Sequence, residues 1–95
     1  MTINVNDVPE QKRFEARDEQ DQLLGFVDYR QADDTITFIH TEVQPAAEGN
    51  GVGSTLARAV LDQARADGFT VVPQCSFIRG WIDRHPDYAD LVSEL

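Results

Sequence analysis

The chain has a single cysteine, Cys75, so it cannot form an internal disulfide or a cysteine-based zinc site. Basic residues are scarce. Eight Lys and Arg stand against seventeen Asp and Glu, a formal net charge of -9. Nucleic acid and anionic membrane surfaces both need a basic face, so neither is expected as a partner. A cationic substrate such as an amine suits this charge, and so does simple solubility. No apolar run approaches membrane length, and the first residues lack the basic and apolar regions of a signal peptide. A cytoplasmic location is the expectation. The hydrophobic share of 41% over 95 residues suits one globular domain spanning 1–95. A chain this short buries roughly 60–65% of its unfolded surface, so its core is modest.

Glycine is also sparse, with six in all, yet three fall in one stretch, Glu48-Gly49-Asn50-Gly51-Val52-Gly53-Ser54-Thr55-Leu56. A β-branched apolar segment precedes it, Ile36 to Val43, and a helical pattern follows it, Val52 to Asp67. A glycine-rich turn therefore sits where a strand gives way to a helix. The first N–H groups of a helix have no intrahelical partner, and the helix dipole adds positive charge there. Glycines let an anion approach that backbone closely. The bland alternative is a tight loop opening an amphipathic helix. Two named motifs do not fit. A Walker loop needs Gly-Lys-Ser/Thr, and no lysine is present. A Rossmann fingerprint needs G-x-G-x-x-G directly after a strand, whereas Gln44-Pro45-Ala46-Ala47 intervenes here.

Read in order, Met1 to Gln11 shows no clear period and is expected to be a partly ordered lead-in. Arg13 to Arg17 alternates polar and apolar residues, as a half-buried strand does. Leu23 to Arg30 and Thr35 to Val43 read as two further strands. Short polar turns at Asp18–Asp21 and Ala32–Asp34 join them into an antiparallel meander. Then the period changes. Val52, Leu56, Ala59, Val60 and Ala64 recur at three- and four-residue steps, which predicts a helix over 52–67. Gly68 is placed to end it. Phe69 to Gln74 reads as a short strand, parallel to 35–43 through a β-α-β crossover. A second helix is expected over 77–84, with Phe77, Ile78, Trp81 and Ile82 as its apolar side. His85-Pro86 breaks it, and Pro86 opens one more turn carrying Tyr88, Leu91 and Val92. The fold class is α/β (α+β).

With these elements placed, the glycine spacing x-G-x-G-x-G resembles the acetyl-CoA pyrophosphate loop of the GCN5-related N-acetyltransferases. Further blocks carry the resemblance from about Arg13 onward. They are Phe14-Glu15-Ala16, Gly25-Phe26-Val27-Asp28-Tyr29-Arg30, His40-Thr41-Glu42-Val43, Val72-Pro73-Gln74-Cys75-Ser76-Phe77 and His85-Pro86-Asp87-Tyr88-Ala89-Asp90-Leu91-Val92. The chain is similar to a small branch of that superfamily that keeps only the core. The resemblance implies acetyl transfer from acetyl-CoA to an amine acceptor, without a metal. It implies cofactor contacts at Thr41, Glu42, Val43, Glu48, Gly49, Asn50, Gly51, Val52, Gly53 and Ser54. Two residues depart from the pattern. The motif usually opens with Arg or Gln, where this chain has Glu48, and Asn50 replaces a longer side chain. Backbone N–H groups must then carry most of the pyrophosphate contact.

The resemblance also implies His40 and Cys75 as the chemical pair, at the mouth between two splayed strands. Histidine can take a proton near neutral pH from an attacking ammonium. Cysteine can be a nucleophile where its thiolate is stabilised. Each has a plainer reading. On a regular strand His40 would share a face with Ile36 and Phe38 and simply pack there. A lone cysteine is usually a small buried hydrophobe. Trp81, Phe77 and Phe69 read as core rather than ligand contacts. His85 reads as a helix-end residue. Tyr88 reads as packing before it reads as a general acid. Direct attack and a Cys75 acyl-enzyme both stay open, as does a CoA-binding or protein-interaction module with little catalysis. The oligomeric state is not legible.

Overall fold

The computed structural model describes residues 2–92. Five strands form one sheet in the order β1-β2-β3-β4-β5. They are β1 (Asn4–Val8), β2 (Arg13–Arg17), β3 (Leu23–Ala32), β4 (Thr35–Val43) and β5 (Thr70–Pro73). The first four are antiparallel in sequence, and β5 pairs with β4 in parallel. Helix α1 (Val52–Asp67) makes the crossover from β4 to β5, and helix α2 (Ser76–Arg84) follows β5. Short 3-10 turns occupy Pro9–Gln11, Pro45–Ala47 and Pro86–Leu91.

The α1 boundaries match the sequence reading. Gly68 ends the helix in the left-handed conformation, at φ 75°, and its N–H returns to Arg65 O. The buried residues Val52, Leu56, Ala57, Val60, Leu61 and Ala64 form the stripe facing the sheet. They pack against Phe14, Ala16, Val27, Ile36, Phe38 and Val71. Close approach of α1 is possible because β3 carries Gly25. A Cβ there would sit 2.6 Å from Glu42 O and 3.2 Å from Leu56 Cδ1.

The stretch read as a lead-in holds a strand. β1 pairs along its whole length with β2, so the meander has four strands rather than three. Ile3 and Val5 pack against the core, and the Tyr29 hydroxyl donates to Asp7 Oδ1 at 2.6 Å. Burial, together with that hydrogen bond and the Asp7 charge, pushes the Tyr29 phenol above its usual range.

A second departure lies in β4. The strand is not regular. Tyr29 pairs with Phe38 and Asp28 with His40, so Ile39 is an extra residue, a β-bulge. Residues paired across a sheet share a face. Ile36 and Phe38 therefore face the helices along with Tyr29, and beyond the bulge Thr41 and Val43 do so, opposite Val27 and Gly25. His40 and Glu42 face the other way. The expectation that His40 shares the face of Ile36 and Phe38 is corrected by this one inserted residue.

Candidate functional site

Helix α1 begins without a side-chain cap. Its N-cap, Gly51, is left-handed at φ 77°, and no acidic residue lies in the first turn. Gly49 also has positive φ, 89°. Among the described residues, the N–H groups of Gly49, Gly51, Val52, Gly53 and Ser54 donate to no backbone carbonyl, whereas Asn50 and Thr55 do. The glycine stretch thus presents a row of free donors at the positive end of a sixteen-residue helix. They border a cavity of about 520 Å³.

The second wall of that cavity is α2. Phe77, Trp81, Arg84 and His85 line it opposite Val43, Ala47, Glu48, Gly49, Gly51, Val52, Gly53 and Ser54. Phe77 comes so close to the loop that a Cβ at Gly53 would lie 2.8 Å from its ring tip. Phe77, read as core from the sequence, is instead 37% exposed at this wall. Trp81 is core as expected, yet it also reaches the site, for its indole N–H donates to Ser54 Oγ at 3.0 Å. Its ring is flanked by Arg58, 5.2 Å from the centroid, and by His85, stacked at 3.7 Å. His85 Nδ1 donates to Trp81 O at 2.7 Å. His85 ends the helix, as read, but it and Arg84 also line the cavity. Both were missed as site residues.

The sheet opens beside this cavity. β5 pairs with β4 only from Thr35 to Phe38 and stops at Pro73, while β4 runs on to Val43. The Arg79 side chain donates to Pro73 O, and Cys75 N–H donates to Phe38 O at 2.9 Å. Past that point β4 has no neighbour on this side. Gln44 N–H donates to Leu24 O, so its backbone points towards β3. By alternation the N–H groups of Val43 and Thr41 point the other way, into the gap.

The sequence-predicted pair flanks the gap from two sides. Cys75 is the N-cap of α2, buried on the helix side, with its Sγ 3.2 Å from Thr41 Oγ1. His40 stands on the opposite, open face. Its ring is 57% exposed, Nε2 lies 3.5 Å from Glu42 Oε1, and the Phe26 ring lies edge-on at 6.2 Å. The two side chains are not in contact; the sheet separates them. Glu42, assigned to the cofactor by sequence, also lies on the open face, while Thr41 and Val43 lie towards the cavity. Asn50 folds back, its Nδ2 donating to Ala47 O. Tyr88 is buried, donates to Asp62 Oδ1 at 2.7 Å and is absent from the cavity wall, as its packing reading requires. The Asp62 hydrogen bond, with burial, raises its pKa. Among the described residues no group of three His, Cys, Asp or Glu could hold a metal ion, and no helix is long and apolar enough to cross a membrane.

Comparison with known proteins gives consistent results. The sequence model of a family described as GCN5-related N-acetyl-transferase matches residues 13–91. A solution structure of a GCN5-like, proposed N-acetyltransferase from Staphylococcus aureus superposes with a TM-score of 0.72 at 27% identity, covering 97% of this chain and 89% of that one. A proposed acetyltransferase from Deinococcus radiodurans R1 gives 0.54 at 28% identity over 87% of this chain and 55% of its own. A ribosomal-protein-alanine N-acetyltransferase from Brucella melitensis shares the fold, with TM-score 0.59 at 19% identity, covering 87% of this chain and 63% of that one. No curated protein matches the chain.

Proposed function

This chain belongs to the GCN5-related N-acetyltransferase family, and from that premise we propose that it moves the acetyl group of acetyl-CoA to an amine whose approach is from the open face of the sheet. The observation that carries this reading is the gap beyond Phe38 and Pro73. It joins a cavity edged by free backbone donors to a face bearing His40, Glu42 and Asp28. The donors fit a diphosphate, since they combine unpaired N–H groups with the α1 dipole. The Val43 N–H, directed into the gap, is placed to receive the thioester oxygen as charge grows on it.

On the open face His40 takes the proton of the ammonium acceptor. The amine nitrogen then attacks the thioester carbon, the C–S bond breaks, and the thiolate leaves on the helix side, taking up the second proton that the nitrogen sheds as the amide forms. The acidic open face favours a cationic acceptor. A second route is favoured by one specific contact. Cys75 lies on the cofactor side, next to the Thr41 hydroxyl and at the start of α2. It could accept the acetyl group first and pass it to the amine. A soluble protein of this charge is expected to work in the cytoplasm, without nucleic acid, membrane or metal.

The test is an amine screen with acetyl-CoA, following release of free thiol and the acetylated product. Thiol release that depends on an acceptor supports the reading. Tight coenzyme A binding with no turnover on any amine class would leave a binding module in its place.

A further inference from the structure

We propose that Arg84, next to His85 at the end of α2, is the cationic partner for a phosphate of coenzyme A, facing the glycine-loop backbone across the cavity. This rests on the reading above that the cofactor occupies that cavity. The loop side alone is poorly charged for the task. Its donors are backbone N–H groups, and its one ionisable side chain is Glu48, an acid that repels phosphate. The complementary charge must come from elsewhere, and the chain has only eight basic side chains.

Most of the other arginines are committed. Arg65 pairs with Asp90, Arg13 and Arg17 pair with Glu15, Arg79 donates to Pro73 O, and Arg58 donates to the Tyr88 hydroxyl. Among the described residues Arg84 makes no ion pair. It is exposed and it lines the cavity. Its guanidinium lies back along α2, with Nη1 3.5 Å from the point a Cβ would occupy on Gly80. Glycine inside a helix costs about 1 kcal/mol relative to alanine. Here it leaves the stripe between Phe77 and Arg84 open.

The direction of α2 fits the polarity of the ligand. Its N-cap, Cys75, adjoins Phe38 and Thr41 at the gap, where the thioester belongs. Nine residues later, about 13 Å along the helix axis, stand Arg84 and His85. An extended pantetheine arm laid from the gap along α2 puts its phosphates at that end. The wall there is stiff, because His85 is stacked on Trp81 and Trp81 is tied to Ser54.

Isothermal titration of the purified protein with coenzyme A and with 3′-dephospho-coenzyme A tests this. Arg84→Gln should weaken coenzyme A about 10- to 100-fold and reduce the salt dependence of binding, with the thermal midpoint unchanged. An equal loss with both ligands assigns the contact to the diphosphate. A loss confined to coenzyme A assigns it to the 3′-phosphate. If Arg84→Gln binds both ligands within about twofold of the unaltered protein, Arg84 has no such role and the inference fails while the function stands. If the unaltered protein binds neither ligand, the function itself fails, and this inference with it.

Discussion

The indole N–H of Trp81 donates to Ser54 Oγ at 3.0 Å, tying the second helix to the first turn of the crossover helix. Trp81 is almost fully buried, so its N–H needs that partner. Ser54→Ala should therefore cost about 1 kcal/mol, roughly 4–8 °C in thermal midpoint for a chain of this size. It should also weaken coenzyme A several-fold, because one wall of the cavity is no longer pinned. Differential scanning calorimetry and a coenzyme A titration on the same variant check both.

His40 and Cys75 are expected to respond in opposite ways under the two routes. If an amine attacks directly, His40→Ala should slow turnover by about 10²–10⁴-fold near neutral pH, and Cys75→Ala should cost little beyond packing. A covalent route makes Cys75→Ala inactive, and acetyl-CoA alone should then add one acetyl mass to the peptide carrying Cys75. Mass spectrometry after mixing with acetyl-CoA separates the routes. Full activity in both variants would leave neither residue with a chemical role.

Gly25→Ala should be costly for a residue that gains only a methyl group. The added carbon meets the backbone carbonyl of Glu42 at 2.6 Å, and neither β4 nor Leu56 of α1 can give way without moving the sheet. A loss of about 1–3 kcal/mol in urea denaturation is expected. Because the strain falls next to the gap, acetyl transfer should fall as well.

Glu15 ties acid stability to the open face. Burial acts to raise its pKa, but the hydrogen bonds and charges of Arg13 and Arg17 outweigh it and hold the carboxyl below the ordinary value of 4.5. A depressed folded value means the stabilisation is complete above the unfolded pKa and is lost as pH falls through the folded one. Glu15→Gln should thus be less stable than the unaltered protein at pH 7, and the difference should shrink in acid. Urea melts between about pH 7 and 3 follow it.

The sequence made some of these parts legible and hid others for identifiable reasons. The crossover helix was readable because its apolar period is local and Gly68 marks its end. The glycine loop was readable because three glycines within five residues can do little else between a strand and a helix. β1 was not readable. Its few apolar residues carry almost no signal, and it is a strand because β2 offers it an edge. Arg84 and His85 were missed because they lie far along the chain from the loop and meet it only through the packing of α2. Ile39 was missed as a bulge because nothing in its identity announces it. A bulge exists only relative to a partner strand.

That bulge fixes which side chains of β4 share the face of the helices and which face away, through pairing register rather than residue identity. Val43 and Thr41 share the face of Ile36 and Phe38, and His40 does not, because Ile39 is passed over in the pairing after Phe38. Replacing exposed Ile39 by another side chain leaves that arrangement as it is. Removing Ile39 leaves Phe38 and His40 as neighbours, still opposite Tyr29 and Asp28, so the bulge is lost but each side chain keeps its face. At this point the chain tolerates a changed letter and a dropped one alike; pairing Ile39 in step with Asp28 is what would exchange the two faces.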